Sequence, residues 1–369
     1  MSSPSKIFFI DPRGNFNFND IDVIERHHQY LNDYQTKYAQ KLEIVVLGVT
    51  ANNLSKRIQG IELAYKTRNF IYFGISASKI LKAHKSPVLI AADPWFSFLS
   101  CLIIKRFVKK DSKIQLQLHG QYMSSNQKTL KNQFIKRYIL WCIRRSDHAR
   151  FVNSIEYEFF IRTKEQNQSK IFLAPVPLTR IFLENLPKLS ALKPISVGFV
   201  GRLHSERGTI LFLELVRKLH EAIPGLKVIV IGAGPDKDLI KTDLSQNLSL
   251  EFEMLGHLPP AKLKLQMRNI GVLLSCAPRE SYGRSMREAI LAGVPVLAIR
   301  SDGALQLQES LPATCLQLFE KQEPFSQILE KFNHLINSSY SPEELHQKLI
   351  IEFQETSKLI ESWHQLIRE

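Results

Sequence analysis

Residues 272–299 read VLLSCAPRESYGRSMREAILAGVPVLAI. Val272–Ser275 is a short apolar run, the pattern of a strand buried on both faces. A polar loop containing Glu280 follows, and Gly283 opens a helix to Ala292. Met286, Ala289 and Ile290 give that helix an apolar face for a core. After Gly293, Val294–Ile299 is a second strand. Strand, helix and strand in this order belong to an α/β fold with a parallel sheet.

The same alternation extends in both directions. Upstream lie strands at Ile195–Gly201, Lys227–Gly232 and Glu251–Leu255, with helices at Thr209–His220 and Ala261–Asn269. Downstream, helical segments are expected to the end, closing with Pro342–Arg368. The first half repeats the pattern, with strands at Lys6–Ile10, Leu42–Val49, Pro87–Ala92, Ile114–Leu118, Arg150–Ser154 and Ile171–Ala174. Its helices are expected at Ile21–Tyr38, Phe70–Lys82, Trp95–Lys109 and Thr129–Arg145. Pro175, Pro177, Pro187 and Pro194 punctuate a linker-like stretch between the halves. Two doubly wound parallel sheets facing each other across a cleft are therefore expected, with ligands at the carboxyl ends of the strands.

The chain has 369 residues, 44% hydrophobic and 23% charged, enough to bury a full core and too apolar for a disordered chain. Its four cysteines, Cys101, Cys142, Cys276 and Cys315, are far apart and form no CxxC pair. That spacing argues against a disulfide framework or a zinc cluster and for a reducing compartment. Met1–Asp20 has no apolar core of a signal peptide, and the most apolar stretch, Trp95–Val108, is short and broken by Lys105 and Arg106. The formal net charge is +14. All of the excess lies in residues 1–190, at +15, against −1 in residues 191–369. That asymmetry suggests two domains with different tasks, and a partner that is nucleic acid, anionic lipid or a phosphorylated small molecule.

Two stretches carry chemistry. In VGFVGRLHSERG, Val197–Gly208, a buried strand ends at Gly201, and Arg202 and Arg207 follow before a helix. Two guanidiniums beside a helix start suit a diphosphate, since each offers a planar fork and a fixed charge; a surface loop with two solvated arginines is the alternative. In residues 272–292, Glu280 lies in the loop and Glu288 about a turn and a half into the helix, so both can face one pocket. Carboxylates accept hydrogen bonds from sugar hydroxyls, and the N–H groups around Gly283 suit an anion. The alternative is a solvated helix glutamate and a loop charge.

Taken in order, GR-x4-RG, IGAGP at Ile231–Pro235, LGHLPPAKL at Leu255–Leu263 and Glu-x7-Glu with AGVPV resemble the nucleotide-sugar glycosyltransferases of family 4, over about residues 195–305. The resemblance implies the GT-B fold, a retaining transfer from a UDP- or GDP-linked sugar, and no metal or other cofactor. It implies that Arg202 and Arg207 bind the diphosphate, Glu288 the ribose and Glu280 the transferred sugar. Ser281, Tyr282, Gly283 and Arg284 would contact the donor through backbone N–H groups, and Gly201, Gly232, Gly234 and Leu258 would lie near it. The sequence departs from the family pattern at Arg207, where Lys is usual, at Ser275–Pro278, and at Asp302-Gly303 in place of Gly-Gly.

The first half resembles the family more weakly. His119, after the strand IQLQL, matches a family histidine that contacts the transferred sugar; a structural histidine is the alternative. Gly14 occupies the place of a glycine-rich acceptor-side loop, and Ser154 the end of a strand. Ser362-Trp363 resembles a closing segment that packs back on the first domain. The expected division is 1–185 on the acceptor side, with about 352–369 returning to it, and 190–351 on the donor side. Residues 128–145 (KTLKNQFIKRYILWCIRR) hold six basic residues and no acid. This helix either docks on an anionic membrane or packs on the sheet with a solvated basic face. Nucleic acid is not expected, for want of a motif.

The expected function is glycosyl transfer to a glycan or lipid-linked acceptor in bacterial cell-surface polysaccharide or lipopolysaccharide synthesis. The expected place is the cytoplasm or the inner face of the plasma membrane. The alternatives are an NDP-sugar 2-epimerase on the same fold, and a non-catalytic nucleotide-binding or membrane-docking protein.

Overall fold

The computed structural model describes residues 4–12, 21–48, 57–58, 60–65, 77, 80–120, 122, 129–163, 170–184, 186, 194–246, 250–354 and 357–369. The chain divides into two compact units, residues 1–177 with 354–369, and residues 178–353.

The first unit holds an eight-stranded sheet. Its strands are β1 (Ser5–Asp11), β2 (Leu42–Gly48), β3 (Arg57–Ile58), β4 (Ile61–Tyr65), β5 (Val88–Ala91), β6 (Lys113–Leu118), β7 (His148–Phe151) and β8 (Ile171–Leu173). The order is β3-β4-β2-β1-β5-β6-β7-β8. Every pairing is parallel except β3 with β4, a short antiparallel edge that the sequence reading did not anticipate. Both sheet faces are covered. Phe8 and Ile10 enter one core and Ile7 and Phe9 the other, as the two-residue period of a strand requires. This is why the parallel strands read as continuous apolar runs.

The second unit holds six parallel strands: β9 (Ser196–Val200), β10 (Lys227–Ile231), β11 (Glu251–Gly256), β12 (Val272–Ser275), β13 (Val296–Ile299) and β14 (Leu316–Phe319), in the order β11-β10-β9-β12-β13-β14. Val228 and Val230 enter one core, Ile229 and Ile231 the other. β14 corrects the expectation of helices alone after Ile299. Arg150–Ser154 is corrected too, since β7 ends at Phe151 and Ser154 begins a helix, Ser154–Thr163. Of the expected helix Phe70–Lys82, most lies outside the described residues.

Two short segments are assigned by their packing. Leu178 and Phe182 are fully buried in the second unit's core, so the chain changes unit at Pro177 rather than in the stretch 185–190. The helix Ser357–Arg368 buries Leu359, Ile360, Trp363 and Leu366 in the first unit's core, with Trp363 edge-on to Phe9 and Tyr30. All four cysteines are free and buried. No helix among the described residues is long and apolar enough to cross a membrane.

Candidate functional site

In the second unit β9 lies between β10 and β12, so the chain winds outward from β9 in both directions. Such a switch point opens a crevice at the carboxyl ends of the two central strands. The loops there are knit together. The Gly201 N–H donates to the Ile231 carbonyl (3.0 Å) and the Leu203 N–H to the Ala233 carbonyl (2.9 Å). Thr209 Oγ1 donates to Asp236 Oδ2 (2.6 Å), tying the helix after β9 to the one after β10. A Cβ on Gly232 would overlap the Gly201 carbonyl, and one on Gly234 the Leu203 carbonyl. These two glycines are thus required by backbone-to-backbone packing. Leu258 is half-buried against the same core.

Across the switch point, Gly208 is in the left-handed region (φ 74°), and a Cβ there would overlap the Cys276 carbonyl. This close approach brings Arg207, at the end of a short 3-10 turn (Ser205–Arg207), beside the loop after β12. Arg207 Nη1 donates to Glu280 Oε2 in an ion pair. The other Glu280 oxygen accepts from the Gly283 N–H at 3.0 Å and, more weakly, from the Tyr282 N–H at 3.4 Å. Glu280 therefore bridges a guanidinium and the start of the helix Arg284–Leu291, a favourable place for an anion. Gly303 packs against Tyr282 and Gly283 and donates its N–H to the Glu280 carbonyl (2.8 Å), which adds the loop after β13 to the platform.

Arg202 stands at the same end of β9, exposed, with Nη2 3.2 Å from Glu206. Glu288 is buried, its side chain 5% exposed, and is paired with Arg284 Nε at 2.7 Å. Arg284 Nη2 reaches Thr179 Oγ1 at 2.8 Å. Glu280 and Glu288 thus sit in two different ion pairs at one helix. Ser281 is half-buried, whereas the Tyr282 ring is interior, with the buried Arg287 guanidinium 3.8 Å above its centroid. Arg287 also donates to the Tyr282 carbonyl.

In the first unit, Gly14 lies outside the described residues. His119 follows β6 at the carboxyl edge of the sheet, exposed in its own right. Its Nε2 is 3.1 Å from Gln117 Oε1. Surrounding protein, followed by the cations Arg150 and Arg26, pushes its imidazole down to about 3. The ring is therefore neutral at pH 7. Arg150 is buried and donates to the Ala174 (2.7 Å) and Pro175 (2.8 Å) carbonyls, so it holds the chain where it leaves the unit.

Several of these residues had a signal that sequence reasoning passed over. Arg284 and Glu288 are four apart on one helix, which is ion-pair spacing. Gln115 and Gln117 stand in an otherwise apolar strand, where a buried amide needs a partner. Arg287 carried no signal, because a helical arginine is normally solvated.

The architecture defines a class, two doubly wound parallel α/β units, which is the GT-B fold. Its whole length is similar to solved GT-B structures. A lipopolysaccharide outer core galactosyltransferase matches with TM-score 0.65 at 16% identity, covering 98% of this chain and 99% of that one. The Anabaena protein HepE, solved with UDP-glucose, matches with TM-score 0.64 at 13% identity over 97% and 99%. Residues 184–349 match the family of glycosyl transferases group 1. Among curated relatives, a 2-deoxystreptamine glucosyltransferase of Streptomyces kanamyceticus is 34% identical over 28% of this chain and 27% of its own length. A 2-deoxystreptamine N-acetyl-D-glucosaminyltransferase of Niallia circulans is 27% identical over 31% and 30%. The matched stretch thus spans less than a third of either relative.

Proposed function

We propose that the protein is a glycosyltransferase that moves a sugar from a nucleoside diphosphate donor to a hydroxyl of a glycan or lipid-linked acceptor. One observation carries the reading: Arg207 and Glu280 meet across the β9–β12 switch point, and Arg202 follows the carboxyl end of β9. The guanidinium fork has five N–H donors, so Arg207 can hold a diphosphate oxygen and Glu280 together. The two arginines and the start of the helix at Gly283 stabilise the diphosphate as it leaves, without a divalent ion. Glu280 accepts from hydroxyls of the transferred sugar, and Glu288, held by Arg284, accepts from the ribose diol. For a retaining transfer the acceptor oxygen bonds to the anomeric carbon on the face the diphosphate leaves, as the bond to the diphosphate oxygen breaks, and the acceptor's proton passes to that departing oxygen.

The test is direct. UDP- and GDP-sugars should raise the melting temperature, since a ligand that binds only the folded state stabilises it. Arg202→Ala and Glu288→Ala should abolish donor hydrolysis and transfer while leaving the circular dichroism spectrum intact, and EDTA should change nothing. Normal turnover in either variant would sink the assignment.

The acceptor reading rests on the first unit. The helices Phe96–Phe107 and Leu130–Arg145 follow adjacent parallel strands, β5 and β6, and bury residues in the same core. Right-handed crossovers put them side by side on one sheet face, and Trp95 stacks on Tyr138 (4.8 Å) between them. Their outer surfaces expose Phe107 (78%), Leu130 (85%) and Phe134 (68%), as well as Phe96, Leu99, Ile103 and Trp141. Lys105, Arg106, Lys131, Lys136, Arg137, Arg144 and Arg145 lie on the same two helices, where Lys105 is paired with Asp147. Apolar side chains among these cations suit an anionic bilayer, which also gives about 1 kcal/mol per Lys or Arg near its surface. Such a face would bring the enzyme to a lipid-linked acceptor of cell-surface polysaccharide synthesis at the inner face of the plasma membrane. Vesicles containing phosphatidylglycerol should co-sediment the protein and pure phosphatidylcholine vesicles should not, with binding lost in Phe107→Ser/Phe134→Ser. Indifference to lipid charge would return the helix to a solvated basic face.

A further inference from the structure

Arg287, in the helix Arg284–Leu291, is wholly buried. A guanidinium taken out of water costs stability unless its donors are matched, so its partners show what it serves. The side chain reaches back past the first turn of its own helix. Nη1 donates to the Tyr282 carbonyl, and the guanidinium carbon lies 3.8 Å from the centroid of the Tyr282 ring. A planar cation can stack on a ring and donate in its own plane at once, which an ammonium cannot.

The Tyr282 carbonyl is one end of a peptide unit whose other end is the Gly283 N–H. The unit is planar and trans, so the two ends point in opposite directions. The Gly283 N–H donates to Glu280 Oε1 at 3.0 Å. Arg287 thus holds one end of this peptide and Glu280 meets the other. The peptide needs such a hold. Gly283 has φ 74°, and glycine accepts the opposite sign of φ about as readily. A half-turn of the peptide would change that sign and set the Tyr282 carbonyl oxygen against the Glu280 carboxylate. Gly303 approaches the same peptide so closely that a Cβ on it would lie 2.9 Å from the Gly283 nitrogen. All of these residues belong to the second unit.

We infer that Arg287 is a positioning residue: by holding the Tyr282 carbonyl it aims the Gly283 N–H at Glu280 and so sets the direction of that carboxylate. The orientation follows from the hydrogen bonds; its part in turnover rests on the proposed reading of Glu280 as the acceptor of hydroxyls on the transferred sugar. Arg287 touches no ligand itself. It acts through Glu280, so its effect falls on the sugar, whereas Arg202 and Arg207 keep their charge toward the diphosphate.

The test uses the full chain labelled with 15N-glycine. In Glu280→Gln the Gly283 amide should shift upfield in a 1H–15N spectrum, which marks its position without a charged acceptor. Arg287→Met keeps the bulk and removes the donors. Its Gly283 amide should move to the Glu280→Gln position. Its kcat, with whichever of a panel of UDP- and GDP-sugars the parent uses best, should fall about tenfold, while the Kd of UDP or GDP alone stays within about threefold. Arg287→Lys keeps a cationic donor and should leave the amide at its parent position, with kcat within about threefold of the parent. A Gly283 amide unmoved in Arg287→Met, with only the melting temperature lowered, overturns the positioning role. So does a folded Arg287→Lys whose amide sits at the Glu280→Gln position, and this variant decides alone if Arg287→Met does not fold. A moved amide with unchanged kcat, or a nucleotide Kd that rises as much as kcat falls, overturns the role in turnover. The amide readout needs no ligand. A parent chain that turns over no donor in the panel therefore fails the transferase reading and leaves the orientation claim to be judged separately.

Discussion

Arg207 shows how much one side chain depends on shape as well as charge. Its fork is engaged by Glu280 from one nitrogen, which leaves its other N–H donors for a ligand's oxygens. Lysine would keep the charge and lose the fork. Arg207→Lys is therefore expected to raise donor KM about tenfold, with the melting temperature held within about 2 °C; steady-state kinetics and calorimetry check the two parts. His27 gives a residue-scale prediction in the first unit. Burial pushes its imidazole down to about 3, against a raising hydrogen bond to the Val23 carbonyl (2.6 Å), and Arg26, His28 and Arg150 lower it further. The folded pKa lies below the unfolded value, so this contribution to stability is complete above pH 6.5 and is lost as pH falls toward 3. The slope should be about 1.4 kcal/mol per pH unit in that window, and His27→Gln should remove one proton's share in denaturant titrations at several pH values. The arginines and glutamates of the second unit were legible because their order along the chain survives in any fold of this topology. The partners that hold them were not. Which oxygen of Glu280 meets Arg207, and that Arg284 rather than water neutralises Glu288, depend on loop geometry that no spacing encodes.

At the scale of elements, what could be read was decided by whether a strand is apolar on both faces. Strands such as Ile7–Ile10 and Val228–Ile231 are apolar on both faces and stand out, whereas β14 offers only Leu316, Leu318 and Phe319 among polar residues and resembles one side of a helix. The docking of the last helix was legible only by resemblance, since an amphipathic helix does not name its partner. The structure names it. Trp363 fills the space between Phe9 and Tyr30, Tyr34 Oη meets His364 Nδ1 (3.0 Å), and Lys37 pairs with Glu361 (2.5 Å). Trp363→Ala leaves a cavity and strips Gln115 of its donor, so a loss of about 3–5 kcal/mol is expected. Trp363→Phe keeps most of the packing and loses one hydrogen bond, about 1 kcal/mol. Urea titrations that gave equal losses for the two variants would place the energy in the hydrogen bond rather than in packing.

Along the chain the second unit is an insertion in the first: the chain leaves the first unit at Pro177 and returns to it at Gln354. Everything placed at the β9–β12 switch point lies inside residues 178–353, including Thr179, which Arg284 needs. The first unit is different, since its sheet is closed on one face by the last helix, more than 170 residues away in sequence. Excised residues 178–353 should therefore fold cooperatively and bind UDP or GDP with a Kd within about tenfold of the full chain, and free nucleotide at 100 times Kd should add about 2.7 kcal/mol to its stability. Residues 1–177 alone leave Gln115, Gln117 and the Phe9 face uncovered and should unfold without a cooperative transition. Supplying residues 354–369 as a peptide should restore one, because the peptide returns Trp363 and Ser362 to the buried amides. A cooperative transition for residues 1–177 without the peptide would mean that the first unit's stability does not depend on the helix that completes it.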